Sequence, residues 1–160
     1  CDRTHAQYKL TTAWEFKHYL PVVLANFATG NNSWNEKSRT ENRGTGTAFM
    51  QRAAEAYGLE FTISKSGEEA IAALKRGAMV VASTGGVDSP FTGGGHYLTL
   101  AHADDTYLYI MDPYLKSDYS KTDKRHLLTQ IQPGLLRARV EDMDDLLLYT
   151  FYIIENPTTK

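Results

Sequence analysis

The chain has 160 residues, of which 42% are hydrophobic and 22% are charged, and its formal net charge at pH 7 is -2. This composition predicts one globular domain over residues 1–160, and the near-neutral charge gives no electrostatic case for binding nucleic acid or an anionic membrane. The longest apolar runs fall far short of a membrane span, and the one cysteine excludes an internal disulfide and a multi-cysteine metal site.

The first part of the chain is predicted to be mainly helical. Residues Thr12–Glu15 have the Thr-x-x-Glu form of a capping box, so a helix is expected from Ala13 to Ala28, kinked or divided at Pro21. Residues 31–46 are polar and rich in Asn, Ser and Gly, which predicts a long loop. A second helix is expected over Thr47–Tyr57, where apolar residues recur at helical spacing.

The second part of the chain is predicted to form a sheet and one short helix. The helix is expected from Ser66 to Arg76, and the stretch GGVDSPFTGGG at 85–95 predicts a mobile or unusually shaped loop because it holds five glycines and a proline. Strands are expected at six places: Leu59–Ser64, Ala78–Thr84, His96–Ala103, Thr106–Asp112, Leu135–Val140 and Leu146–Ile154. Helices followed by an antiparallel sheet indicate an α+β fold.

A histidine and an aspartate bracket the predicted hairpin. A three-residue loop, Ala103–Asp105, would pair His102 with Thr106. Continuing that ladder places His96 opposite Asp112, on the apolar face that is expected to pack against a helix. A strict two-residue loop would put the two side chains on opposite faces, so the prediction requires an odd loop or a bulge.

Such a pair is suited to acid–base chemistry. A carboxylate beside an imidazole fixes its tautomer and stabilises the imidazolium, as a general base requires, although a purely structural hydrogen bond would use the same two residues. Gly94 and Gly95 directly precede His96, and because they lack side chains they would let a substrate backbone approach the base.

Two stretches resemble the papain-like cysteine peptidases. In QYKLTTAWEF, residues 7–16, Gln7 precedes Ala13 by six positions and Trp14 follows it, as Gln and Trp flank the catalytic cysteine in that family. The stretch GGGHYLTLAHADDTYLYIMDPY, residues 93–114, is similar to the His and Asp segment of the peptidases that cleave double-glycine bacteriocin leaders, and of related bacterial effector and toxin proteases. The similar segments span most of residues 7–114.

The resemblance implies a papain-like fold in which N-terminal helices pack on the antiparallel sheet. It implies that Ala13 occupies the nucleophile position, with His96 as base, Asp112 as the residue that orients it and Gln7 in the oxyanion hole. Trp14 would contact a protein or peptide substrate together with Gly94 and Gly95. No cofactor or metal is implied. The effector and toxin branch implies a soluble domain that is secreted or released from a larger precursor.

An alanine cannot form a thiolate or an acyl intermediate. Either Ala13 was introduced to trap an inactive form, or the domain is a natural pseudoenzyme that binds a peptide in the same groove. The intact Gln7, His96 and Asp112 favour the first explanation. Peptidase, glutamine deamidase and transamidase activities stay open, because all three pass through a thioester.

Other residues compete less well for these roles. Because the chain begins at Cys1 rather than Met, we expect a fragment or a mature form, and the polar residues after Cys1 favour an exposed, dispensable terminus over a nucleophile. A different alignment places Tyr19 at the cysteine position but leaves Gln7 and Trp14 unexplained. The remaining histidines lack ligand spacing, so no metal site is expected; they are His5, His18, His102 and His126.

Overall fold

The computed structural model describes residues 47–114 and 123–157. The chain divides into two compact units, Cys1–Leu59 and Glu60–Lys160, each of which is described by itself. In the first unit the described element is the helix α1, Thr47–Ala56. The single-domain organisation stays a prediction.

The helix α1 lies where the spacing of apolar residues predicts it. It ends at Ala56, one residue before the predicted end, and Gly58 follows with φ of 69°, a conformation that favours glycine after a helix. The predicted helix from Ala13 and the predicted loop at 31–46 lie outside the described residues.

The second unit is built on one seven-stranded antiparallel sheet. Its helix and strands in chain order are β1 (Glu60–Ser64), α2 (Gly67–Lys75), β2 (Met79–Thr84), β3 (His96–Ala103), β4 (Tyr107–Met111), β5 (Thr129–Gln132), β6 (Leu135–Arg139) and β7 (Leu148–Glu155). The strands lie in the order β1-β7-β2-β3-β4-β6-β5. This arrangement confirms the α+β class. The strand β5 was not predicted, nor were two 3-10 helices, Asp123–Leu127 and Val140–Leu146.

The helix α2 forms because its sequence supplies both ends. The Ser66 side chain accepts a hydrogen bond from the Glu69 backbone N–H at 3.2 Å, which caps the first turn, and Gly77 follows the helix with φ of 93°. Its buried residues are Ala70, Ala73 and Leu74, and the helix packs on β2, β3 and β7. The predicted helix from Ser66 to Arg76 is therefore confirmed to within one residue at each end.

The core lies between α2 and one face of the sheet. Alternate side chains of β3 and β4 point into it and are almost completely buried: Leu98, Leu100, Leu108 and Ile110. The other face carries aromatic side chains, of which Tyr97 contacts Tyr152 edge to face at 5.9 Å and Phe61 stacks on Tyr152 at 6.1 Å. Burial, followed by the hydrogen bond with Tyr152, raises the pKa of the Tyr97 hydroxyl above its ordinary value.

The turn between β3 and β4 is tighter than predicted. The Asp104 backbone N–H donates to the Tyr107 carbonyl at 3.0 Å, so only Asp105 and Thr106 form the loop. The Asp104 side chain accepts from the backbone N–H groups of Thr106 and Tyr107, each at 2.7 Å, and these bonds hold the turn closed. The predicted three-residue loop, Ala103–Asp105, is therefore wrong.

A β-bulge compensates for the even number of residues, two, in this loop. Leu100 pairs with Ile110, but the next pair is His102 with Tyr109, which leaves Ala101 as an extra residue in β3. The predicted pairing of His102 with Thr106 is wrong for this reason. Because one extra residue reverses the alternation of side chains beyond it, the start of β3 and the end of β4 present His96 and Asp112 on one face, as predicted.

The burial of Ile110 gives a direct test of the core. Ile110 has no exposed surface, whereas Ile131 on β5 is 48% exposed. We expect Ile110→Ala to lower the free energy of unfolding by about 2–5 kcal/mol, because it removes packed atoms and leaves a cavity. The matched change Ile131→Ala should cost much less in the same urea titration. Equal losses for the two variants would contradict the position of the core.

The hydrogen bonds of Asp104 predict that the stability of the fold depends on pH in the acid range. Hydrogen bonds from the backbone N–H groups of Tyr107 and Thr106 lower the pKa of Asp104. Its contribution to stability is therefore present above the pKa of an unfolded aspartate, about 3.9, and is lost as pH falls through the lower folded value. Asp104→Asn should flatten this part of the stability profile between about pH 5 and pH 2, measured by urea titration. Asp105→Asn is the control, and an identical profile for Asp104→Asn and the parent chain would refute the assignment.

Candidate active site

The histidine and the aspartate of the predicted pair are in hydrogen-bond contact. His96 is the first residue of β3 and pairs with Thr84, the last residue of β2, while Asp112 directly follows β4. The distance between His96 Nε2 and Asp112 Oδ1 is 2.7 Å. The Asp112 side chain is only 1% exposed and the His96 side chain is 19% exposed, so the carboxylate is buried and the imidazole retains an accessible edge.

The two side chains meet diagonally across the hairpin. Thr99 pairs with Met111, and the same ladder continued would bring Leu98 beside Asp112 and His96 beside Tyr114. The prediction that His96 lies directly opposite Asp112 is therefore wrong by one step of two residues, although both share the face. The rings of His96 and Tyr114 accordingly lie edge to face, with centroids 6.3 Å apart and an interplanar angle of 77°.

The buried carboxylate is oriented by its own chain as well as by the imidazole. The Tyr114 backbone N–H donates to Asp112 Oδ1 at 2.8 Å, across the intervening Pro113. An aspartate that accepts a hydrogen bond from the backbone two residues later forms a local turn, and the proline ring restricts φ within it. Burying a carboxylate is costly unless it is hydrogen-bonded, and these two donors provide that compensation.

The contact favours one tautomer of the imidazole. A carboxylate can only accept a hydrogen bond, so the tautomer that fits this contact carries its proton on His96 Nε2. The other ring nitrogen, Nδ1, is then the acceptor in the neutral imidazole. A ring held in this way can take a proton at Nδ1 while the neighbouring carboxylate stabilises the resulting positive charge.

The glycine-rich segment before His96 is anchored at its centre. Ser89, Pro90 and Phe91 are almost completely buried, and Ser89 Oγ accepts from the Phe91 backbone N–H at 3.2 Å. Ser89 Oγ also lies 3.1 Å from Thr84 Oγ1, which ties the segment to the end of β2. Gly85 follows Thr84 with φ of 147°, so the unusual shape predicted for this segment is confirmed.

The last residues of this segment expose bare backbone beside the imidazole. Gly93, Gly94 and Gly95 are exposed, and a Cβ built on any of them would lie in open space, with no atom within 4 Å. The space into which side chains would project is therefore open directly before His96. A role of Gly94 and Gly95 in substrate binding stays a prediction.

Most of the other predicted site residues fall outside the part of the chain that the structure describes. Ala13, Gln7, Trp14 and Cys1 are outside the described residues, so their roles stay predictions. His102 lies on the opposite side of the hairpin from the core, with its ring 5.9 Å from that of Tyr109.

The described residues show neither a metal cluster nor a membrane-spanning helix. Within residues 47–114 and 123–157, no group of three or more His, Cys, Asp or Glu side chains could hold a metal ion. In those ranges no helix is both long and apolar enough to cross a membrane.

The groups that support the pair were not predicted from the sequence. The Tyr114 backbone N–H could have been found from the Asp-Pro-Tyr order, which is typical of an aspartate turn. The buried hydroxyls of Thr84 and Ser89 carry no comparable signal, because short polar residues in or beside glycine-rich segments are common in exposed loops. A groove of about 490 Å³ on the aromatic face of the sheet was also missed. Its walls include Val81, Tyr97, Thr99, Met111, Pro133 and Leu135.

Comparison with known proteins adds no assignment. No protein-family model matches the chain, and no curated protein gives a significant match.

The role of Asp112 in fixing the imidazole can be measured directly. In Asp112→Ala the Nε2 proton loses its acceptor, so we expect the ¹⁵N shifts of the His96 ring to report a mixture of the two neutral tautomers. Asp112→Asn should retain the Nε2–H form, because the amide oxygen still accepts, although through a weaker neutral bond. Asp105→Ala, which removes a carboxylate that is 96% exposed, is the matched control. An unchanged tautomer in Asp112→Ala would show that Asp112 does not orient the ring.

Proposed function

We propose that this domain is a papain-like cysteine peptidase, with His96 as the general base, Asp112 as the residue that orients it, and Ala13 at the nucleophile position. The observation that best supports this proposal is the distance of 2.7 Å between His96 Nε2 and the Asp112 carboxylate, whose side chain is only 1% exposed. A surface ion pair would not require such burial. The resemblance of residues 7–16 and 93–114 to this family supplies the reaction class.

The proposed reaction needs a thiol where Ala13 stands. His96 Nδ1 accepts the thiol proton, and the thiolate attacks the carbonyl carbon of a peptide or amide bond. Asp112 stabilises the imidazolium, which then gives its proton to the leaving amine as the carbon–nitrogen bond breaks. Water hydrolyses the remaining thioester and restores the thiol. With Ala13 in place the first proton transfer has no donor, so the chain as given is expected to be inactive.

The substrate is proposed to bind along the exposed glycines. Gly94 and Gly95 precede His96 with open space where side chains would project, so an extended peptide could bring its scissile carbonyl close to the imidazole. Gln7 would donate its side-chain amide to the developing oxyanion, and Trp14 would contact the substrate. A peptide with a double-glycine leader sequence is a suitable first substrate, because the resemblance includes peptidases of that specificity. A glutamine side chain is the second, since deamidases use the same acylation chemistry.

The proposal is tested by restoring a thiol. We expect Ala13→Cys, made in a Cys1→Ser background, to react rapidly with an electrophilic thiol probe such as iodoacetamide. Adding His96→Ala should slow labelling by roughly 10²-fold, because general-base assistance of this kind contributes on that scale. His102→Ala is the matched control, since it removes an exposed imidazole on the other face of the hairpin.

Two outcomes would overturn the assignment. Labelling of the introduced thiol that is slow and unaffected by His96→Ala would mean that His96 does not activate residue 13. Labelling that requires Cys1, found by comparing the same variants with and without Cys1→Ser, would transfer the nucleophile role to Cys1.

A further inference from the structure

We propose that Gly85 and Tyr149 are positioning residues for His96: Tyr149 holds Gly85 in place, and Gly85 in turn sets the backbone that leads into the histidine. This inference rests on the proposed function, because it gives the general base of that site its support. Their effect is transmitted through the backbone of residues 94 and 95, which Gly85 approaches closely.

The first observation is a second β-bulge, at Tyr149. Ser83 pairs with Thr150, but Thr84 pairs with Leu148, which leaves Tyr149 as an extra residue in β7. Bulges redirect a side chain out of the regular alternation and are common near active sites. Here the Tyr149 hydroxyl donates to the Gly85 carbonyl at 2.7 Å. Tyr149 is 49% exposed, so packing in the core does not fix its side chain. The hydrogen bond to Gly85 holds its hydroxyl in place.

The second observation is the close approach of two glycine segments. A Cβ on Gly85 would lie 2.5 Å from the Gly94 carbonyl oxygen and 3.1 Å from Gly95 Cα. Both of these atoms belong to backbone, so they could not rotate away as the end of a side chain could. Gly85 also has a backbone φ of 147°, a value that residues with a side chain rarely adopt. Only glycine therefore lets the two segments touch directly before His96.

The third observation concerns Thr84, the last residue of β2, which is held by a residue close to Tyr149 in the chain. Its hydroxyl donates to the Leu147 carbonyl at 3.0 Å, and its backbone pairs with His96. Leu147 and Tyr149 thus hold two successive positions, Thr84 and Gly85, against the start of β3. Because Asp112 is buried and fixed on the other side, a shift of a few tenths of an ångström in the His96 backbone would lengthen the bond between the side chains.

The test measures the hydrogen bond of the His96 imidazole in the full chain, with Ala13 unchanged. In protein labelled with ¹⁵N-histidine, the His96 Nε2–H signal and its rate of exchange with solvent report the bond to Asp112. Gly85→Ala should shift the His96 ring signals and raise the exchange rate roughly 10-fold, because the added Cβ must displace residues 94 and 95. Tyr149→Phe removes only the hydroxyl and should raise the rate by a smaller factor, about 2- to 5-fold.

Each variant has a matched control. Gly77 also has positive φ, 93°, but its Cβ would meet no atom within 4 Å, so Gly77→Ala imposes backbone strain without the contact. Tyr107→Phe removes a hydroxyl from β4, where the ring lies 4.3 Å below the Arg137 guanidinium carbon. Both controls should leave the His96 signals unchanged, whatever their effect on unfolding by urea.

The outcomes separate this inference from the proposed function. Signals in Gly85→Ala that match Gly77→Ala, or in Tyr149→Phe that match Tyr107→Phe, would overturn the positioning role. If Gly85→Ala does not fold, the comparison of Tyr149→Phe with Tyr107→Phe decides alone. The measurement needs no catalysis, so an unreactive thiol in Ala13→Cys would reject the peptidase function while a shifted His96 signal still supported the positioning of the imidazole.

Discussion

The alternation of side chains along a strand constrains this site more than any other feature. Residues of one strand point to opposite faces in turn, so His96 and Asp112 can meet only if the chain between them keeps both on one side. The Asp104 turn has an even loop, which alone would separate them. The extra residue Ala101 reverses the alternation and brings the carboxylate to within 2.7 Å of the imidazole.

Another bulge, at Tyr149, lies near the end of the sheet where β3 begins at His96, whereas the Ala101 bulge lies near the turn at the other end of β3. The Ala101 bulge places Asp112 on the same face as His96, and the Tyr149 bulge directs the Tyr149 hydroxyl to the Gly85 carbonyl. The buried carboxylate is expensive to desolvate, and its hydrogen bonds from His96 and the Tyr114 backbone offset that cost. Such an arrangement specifies one geometry for the pair, which is what proton transfer requires.

Much of the sheet could be predicted from the sequence, because burial leaves a clear pattern. Leu98, Leu100, Leu108 and Ile110 alternate with polar or aromatic residues, and this alternation predicts the hairpin and its buried face. The strand β5 could not be found in this way, since all four of its residues are exposed at the edge of the sheet. The 3-10 helix Val140–Leu146 was likewise missed, because a short acidic segment has no such periodicity.

The position of the extra residue could not be predicted for a different reason. A three-residue loop, and a two-residue loop with a bulge at Ala101, both keep Leu98 and Ile110 in the core, so the burial pattern does not distinguish them. The choice depends on the two backbone hydrogen bonds accepted by Asp104, which close the tighter turn. Candidate catalytic residues could be named from the His and Asp at the ends of the hairpin, but their diagonal contact follows from that local choice.

The backbone register of the β3–β4 hairpin in solution is the most direct test of how His96 and Asp112 come together. A nuclear Overhauser spectrum should show cross-strand contacts of Leu100 with Ile110 and of His102 with Tyr109, which together leave Ala101 unpaired. A uniform register that pairs Thr99 with Asp112 would place the carboxylate on the opposite face from His96, and would contradict the arrangement on which the proposed chemistry depends.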